Sequence, residues 1–228
     1  MKIFHENLPE EAEHIRKSIK NVYSIDARIF DRELDNLFIG IPKFGGDCFL
    51  PSPTHDKKVN EPLDDPSLDL ILTSRDLYGR MDNKDSDWGF ALSYHPKMKI
   101  FVSTLRLKGT DSSPTKNLQV PPNVYLARLG LMGVHEVGHI VLRNPAHFQE
   151  AFYVDDKGGE LPLGKHCIDN RCVMYEVIDV STPEAGYMRL GGKKVYDATI
   201  NGVLDRICPD WLCRQCKDSV SIKAEYFV

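Results

Sequence analysis

The chain has 228 residues, 42% apolar and 27% charged, ordinary proportions that exclude a collagen-like, coiled-coil or wholly disordered protein. Twenty-nine basic against 33 acidic residues leave a net charge of −4, which argues against a nucleic-acid partner. No stretch approaches the ~20 apolar residues of a membrane helix. The opening Met1-Lys2-Ile3-Phe4-His5-Glu6 lacks the apolar core of a signal peptide, so a cytoplasmic protein is expected.

In chain order, Asn7-Leu8-Pro9-Glu10-Glu11 combines a cap residue, an early proline and first-turn acids. That combination predicts a helix over residues 9–20. Tyr23, Ile25, Ala27 and Ile29 then alternate with Ser24, Asp26 and Arg28, which predicts a strand over 22–30 with one buried face. Residues 40–67, punctuated by glycine and proline, read as loop. Residues 68–73, 88–94 and 99–105 read as strands, the last two joined by a turn at His95-Pro96-Lys97. Residues 110–120 are polar and loop-like.

Pro121-Pro122-Asn123 opens a long helix that is apolar on most sides and therefore buried. Its Gly130, Gly133 and Gly138 cost helix propensity and point to the close approach of a neighbour. Arg143-Asn144-Pro145 is a stop signal. The loop-rich remainder contains two predicted hairpins, one turning at Asp155-Asp156-Lys157-Gly158-Gly159 and one at Gly191-Gly192. Five of the six cysteines (167, 172, 208, 213 and 216) fall in this remainder. In a reducing compartment such a cluster favours metal ligation over disulfides.

His135-Glu136-Val137-Gly138-His139 lies within the long helix and forms an HExxH motif. Residues i and i+4 share one helix face, so both imidazoles can reach one zinc ion. Glu136, one residue round, is placed to take a proton from water whose pKa the zinc lowers toward ~7. A catalytic zinc needs a third protein ligand and an open position. Two later segments carry candidate donors: His166-Cys167-Ile168-Asp169-Asn170-Arg171-Cys172-Val173-Met174, and Cys213-Arg214-Gln215-Cys216.

Together these segments resemble the archaemetzincins, whose pattern is HExxHxxGxxH, a cysteine after the third histidine, C-x4-C-x-M and a later C-x2-C. Asp69-Leu70-Ile71-Leu72-Thr73-Ser74-Arg75-Asp76-Leu77 looks like an upstream strand of the same family, and Trp88-Gly89-Phe90-Ala91 and Val102-Ser103-Thr104-Leu105 look like the two that follow it. The resemblance covers about residues 20–142 and 164–217. It implies an α+β, metzincin-like fold, with a twisted mixed β-sheet packed on helices and a zinc-stabilised, loop-rich C-terminal subdomain. One compact catalytic domain is expected, with residues 1–144 carrying the sheet and the HExxH helix and residues 145–228 the rest. The strand like 88–92 would form the upper rim of the cleft.

The resemblance further implies two zinc ions. His135, His139 and His166 would bind the catalytic one, with Glu136 as general base and Met174 in the Met-turn beneath it. Cys167, Cys172, Cys213 and Cys216 would bind the structural one. Cys208 is the alternative fourth thiolate, and Cys48 is expected to be unligated. The family's glycine and third histidine correspond here to Leu142 and Pro145. An insertion is therefore expected, in which a hairpin leaves near Asn144 and returns at Gly164-Lys165-His166-Cys167. His147 is the rival third ligand, and Glu150 or Glu160 a carboxylate alternative. The expected function is zinc-dependent hydrolysis of peptide or protein substrates, aminopeptidase-like, without nucleic-acid or membrane partners. The alternative is a non-catalytic, zinc-stabilised peptide-binding protein.

Overall fold

Two short runs, Leu70-Ile71-Leu72 and Ile100-Phe101-Val102, are buried on both faces, which is how parallel strands with both faces covered read. The computed structural model describes residues 1–34, 38–43, 46–51, 67–81, 84–89, 91–94, 98–108, 120–142, 145–154, 157–175, 187–195 and 211–222.

The chain begins with strand β1 (Lys2–His5), helix α1 (Pro9–Tyr23) and strand β2 (Arg28–Asp31). Next come β3 (Phe38–Lys43), β4 (Gly46–Pro51), β5 (Asp69–Thr73), β6 (Asp76–Met81), β7 (Lys84–Gly89), β8 (Ala91–Tyr94) and β9 (Lys99–Ser103). Helix α2 (Pro122–Val141) follows, then β10 (Phe148–Val154), β11 (Glu160–Cys167), β12 (Tyr187–Leu190), β13 (Lys193–Val195) and the short α3 (Arg214–Asp218). The main sheet has the order β2-β1-β5-β9-β8, parallel except for the antiparallel edge strand β8. The others are β3-β4-β6-β7 and β11-β10-β12-β13.

Strand alternation divides the core. Ile3, Leu70, Leu72, Ile100 and Val102 face Ile15 and Ile19 of α1 and Leu129, Val134, Val137 and Val141 of α2. Phe4, Ile71 and Phe101 face the other way, against Leu34 and Leu77. Both helices thus cover one face of the sheet, and α2 runs beside β8. Gly133 permits the close crossing, because a Cβ there would meet the Ile15 side chain at 2.8 Å. At the start of the central strands, Lys99 Nζ donates to Asp69 Oδ2 at 2.6 Å and to the Ser67 carbonyl at 3.1 Å, a buried pair whose partners are satisfied.

Several expectations require correction. The strand predicted over 22–30 is helix as far as Tyr23, which continues the buried stripe of Ile15 and Ile19 one turn on. Ser24 then takes a left-handed conformation and donates its N–H to the Lys20 carbonyl at 2.9 Å, and pairing starts only at Arg28. Asn7 does not cap α1: the preceding residue of the helix is Leu8, whose N–H is taken by His5 Nδ1 at 3.2 Å. The predicted loop over 40–67 contains β3 and β4, paired antiparallel from Phe38↔Pro51 to Lys43↔Gly46. Pro42 is tolerated because β3 is an edge strand. The single strand predicted over 88–94 is two: Trp88 pairs with Tyr78 in one sheet, whereas residues 91–94 pair with β9 in another. Helix α2 ends at Val141, before the expected stop, because Leu142 is already extended and bridges to Val220. The turn at 95–97 and most of the predicted loop over 110–120 lie outside the described residues.

Candidate metal centres

Helix α2 supplies the first two donors. His135 and His139 stand one turn apart, with their Nε2 atoms 3.0 Å from each other. The inserted hairpin supplies the third. β10 and β11 pair antiparallel with Phe148 opposite Cys167 and Gln149 opposite His166, so the chain leaves α2 and returns to it. The ligand atoms of His135, His139 and His166 all lie within 4.8 Å of one another. The His135 and His166 rings stack at 5.2 Å, and His139 stands edge-on to both at 4.7 Å.

The tautomers suit a cation. His135 Nδ1 is 2.7 Å from the Val173 carbonyl, so Nδ1 carries the proton and donates it, leaving the Nε2 lone pair to face the cluster. His166 Nδ1 stands 3.3 Å from the Gly164 carbonyl in the same sense. A tetrahedral zinc with Zn–N near 2.0–2.1 Å spaces its nitrogen donors by roughly 3.3 Å. The 3.0 Å between His135 and His139 is close to that, and three nitrogens leave one of four tetrahedral positions open. Glu136 follows His135, about 100° further round the helix, and is 7% exposed.

Met174 lies against the same helix. A Cβ on Gly138 would run into the Met174 sulfur and the Tyr23 hydroxyl, so glycine between the histidines lets the methionine pack there. The Tyr23 hydroxyl donates to the Val134 carbonyl at 3.0 Å and touches Met174 Sδ at 3.9 Å. Burial holds the phenol well above its ordinary pKa, so it remains a donor.

A second cluster lies on the far side of the 166–175 segment. Successive strand residues point to opposite faces, so His166 turns to the helix and Cys167 away from it. Cys167 Sγ is 3.8 Å from Cys213 Sγ, and Cys172 Sγ is 3.7 Å from Cys216 Sγ. Cys213 caps α3, where its sulfur accepts the Cys216 N–H at 3.4 Å. Hydrogen bonding to Cys172 pushes the Cys167 thiol up, and Cys216 is pushed up by Cys167 and Cys172. Hydrogen bonding with Cys167 and Cys216 pulls the Cys172 thiol down. Sulfurs packed this closely cannot all be thiolates without a cation among them, which is the environment a zinc ion supplies.

The structure therefore brings together His135, His139 and His166, and separately Cys167, Cys172, Cys213 and Cys216. His147, the rival third ligand, is not at the histidine cluster: its Nε2 lies 3.3 Å from Cys216 Sγ and 3.7 Å from Cys213 Sγ. Glu150 and Glu160 face Lys165 at 3.9 Å and Arg189 at 2.6 Å on the hairpin. Cys48 sits on β4, and Cys208 lies outside the described residues. Sequence reasoning missed the Val173 carbonyl, a main-chain group with no side-chain signal. It also missed Tyr23, which the spacing of Ile15, Ile19 and Tyr23 could have revealed.

No protein-family model matches the chain, and no curated protein matches it in sequence. Two solved structures resemble it. A zinc-dependent peptidase from Methanocorpusculum labreanum is 14% identical with a TM-score of 0.50, the match covering 96% of this chain and 98% of that one. The archaemetzincin from Archaeoglobus fulgidus, complexed with malonate, is 16% identical with a TM-score of 0.47, covering 96% and 100%. The first likeness shows an α+β fold shared with a zinc-dependent peptidase along nearly the whole chain.

Proposed function

We propose that the protein is a zinc metallopeptidase of the archaemetzincin type. The observation that carries this reading is the convergence of three imidazoles from a helix and an inserted hairpin, with donor atoms within 4.8 Å of one another. His135, His139 and His166 hold the catalytic zinc. When bound, that ion supplies a Lewis acid that polarises a carbonyl and lowers the pKa of water to about 7. Glu136 is the general base: it takes the proton of the attacking water and passes it to the leaving amine. The Val173 and Gly164 carbonyls hold the His135 and His166 rings in the tautomer that faces the site. Met174, in the Met-turn, supports the helix from behind. A second, structural zinc would be held among the cysteines, where it would tie the inserted hairpin and the turn after it to the start of α3.

Substrates are peptides or proteins, cleaved in an aminopeptidase-like manner, with β8 as the rim strand nearest α2. A reducing, cytoplasmic setting suits the free thiols of Cys167, Cys172, Cys213 and Cys216. No described helix is long and apolar enough to cross a membrane.

The test is turnover of a peptide library alongside zinc content. Glu136→Gln is expected to retain zinc and the parent melting curve while losing on the order of 10²–10⁴-fold in turnover. His166→Ala is expected to lose one zinc and all turnover. A zinc-loaded parent that binds peptides without cleaving them, with Glu136→Gln binding equally well, would establish the peptide-binding alternative instead.

A further inference from the structure

Five donors crowd the cysteine cluster, one more than a tetrahedral ion takes. They are Cys167, Cys172, Cys213, Cys216 and, from the inserted hairpin, the His147 imidazole. The hairpin register explains its arrival. Phe148 pairs with Cys167, so the residue before Phe148 is carried to the same end of the strands, beside the cysteines. His147 also packs edge-on against the Phe148 ring at 5.1 Å.

We propose that the ion at this cluster is held by His147 together with Cys167, Cys213 and Cys216, and that Cys172 is the surplus donor. The proposal rests on reading the cluster as a zinc site and specifies its fourth ligand. A tetrahedral zinc with Zn–S near 2.3 Å and Zn–N near 2.0 Å spaces sulfurs by roughly 3.8 Å, and sulfur from nitrogen by roughly 3.5 Å. Cys167 and Cys213 are 3.8 Å apart, and His147 Nε2 is 3.7 Å from Cys213 and 3.3 Å from Cys216. The donor atoms of these four residues all lie within 4.8 Å of one another, a set that does not include Cys172. Cys172 Sγ touches Cys216 at 3.7 Å, hydrogen-bonds with Cys167 and accepts the Cys213 N–H at 3.3 Å, contacts it can keep outside the coordination sphere.

The arrangement makes the ion a clasp at the root of the insertion. His147 ties down the outgoing limb of the hairpin and Cys167 the returning limb. His166, next to Cys167, is thereby held where it reaches the histidine cluster.

Cadmium loaded into the unmodified full chain tests this, because each site gives its own cadmium resonance, whose shift counts the thiolates. Labelling histidine with the magnetic nitrogen isotope adds a coupling for each bound imidazole. The expected result is a three-sulfur, one-nitrogen resonance coupled to one imidazole, with the coupling lost in His147→Ala and kept in Cys172→Ser. A four-sulfur resonance without nitrogen coupling, unchanged by His147→Ala, would overturn the proposal. Peptidase activity enters neither outcome. Failure of the catalytic reading would alter the nitrogen-rich resonance and leave this one as it is.

Discussion

The histidine cluster draws two donors from one turn of a rigid helix and a third from a strand, and its three nitrogens leave one coordination position open. The cysteine cluster draws its donors from the hairpin, the turn after it and the start of α3, and has donors to close the sphere. Burial does not separate them: His135, His166, Cys167, Cys172 and Cys216 are buried, and His139, Cys213 and His147 are half-buried. The difference teaches that openness is set by donor count. In general an ion with a free position can serve chemistry, and an ion whose sphere is closed serves folding. The two are linked by adjacent residues: Cys167 follows His166, and Val173, whose carbonyl orients His135, follows Cys172.

Breaking the closed site should have the largest effect. Cys216→Ser removes a buried ligand whose metal is folding free energy, on the order of 10 kcal/mol for structural zinc. The variant is expected to lose both ions and its cooperative melt, measured by zinc content and circular dichroism. His139→Ala, in the open site, is expected to lose one ion and keep a cooperative melt. Reversal of the two results would invert the assignment of structural and catalytic roles.

A smaller effect sharpens the contact between the sites. Gly138→Val drives a side chain into Met174 and Tyr23, and overpacking of this kind costs about 1–3 kcal/mol. The melting temperature should fall by roughly 2–4 °C per kcal/mol. A variant as stable as the parent would mean that Met174 is not packed tightly beneath the histidines.

The smallest effect concerns Tyr23→Phe, which removes the hydroxyl from the Val134 carbonyl at a cost of about 0.5–1.5 kcal/mol. Zinc content should be unchanged, because Tyr23 reaches the site only through the helix and Met174. Loss of zinc in this variant would give the tyrosine a direct part in the site.

Much of the candidate site was legible because its signals are local. The spacing of His135 and His139 requires only that residues 135–139 be helical. The departures at Leu142 and Pro145, with two glycines later, were enough to predict a hairpin that leaves and returns, and β10 and β11 do so. The fold was legible where periodicity was undisturbed, in β5, β9 and α2. It was not legible at residues 40–51, where prolines and glycines hide an edge hairpin whose pairing is made with β6, far along the chain.

The sequence by itself determined the helix that presents His135 and His139, the short apolar runs that form β5 and β9, and the pairing of cysteines into two short-spaced groups. These follow from 3.6- and 2-residue periods and from turn chemistry, which act over a few residues. Only the tertiary structure decided that Tyr23 supports Met174, that a main-chain carbonyl at Val173 aims His135, and that His147 stands with the cysteines and not with the other histidines. Each depends on strand register or packing between segments tens of residues apart. Such non-local pairing is set by which surfaces can be buried together, and spacing along the chain does not encode it.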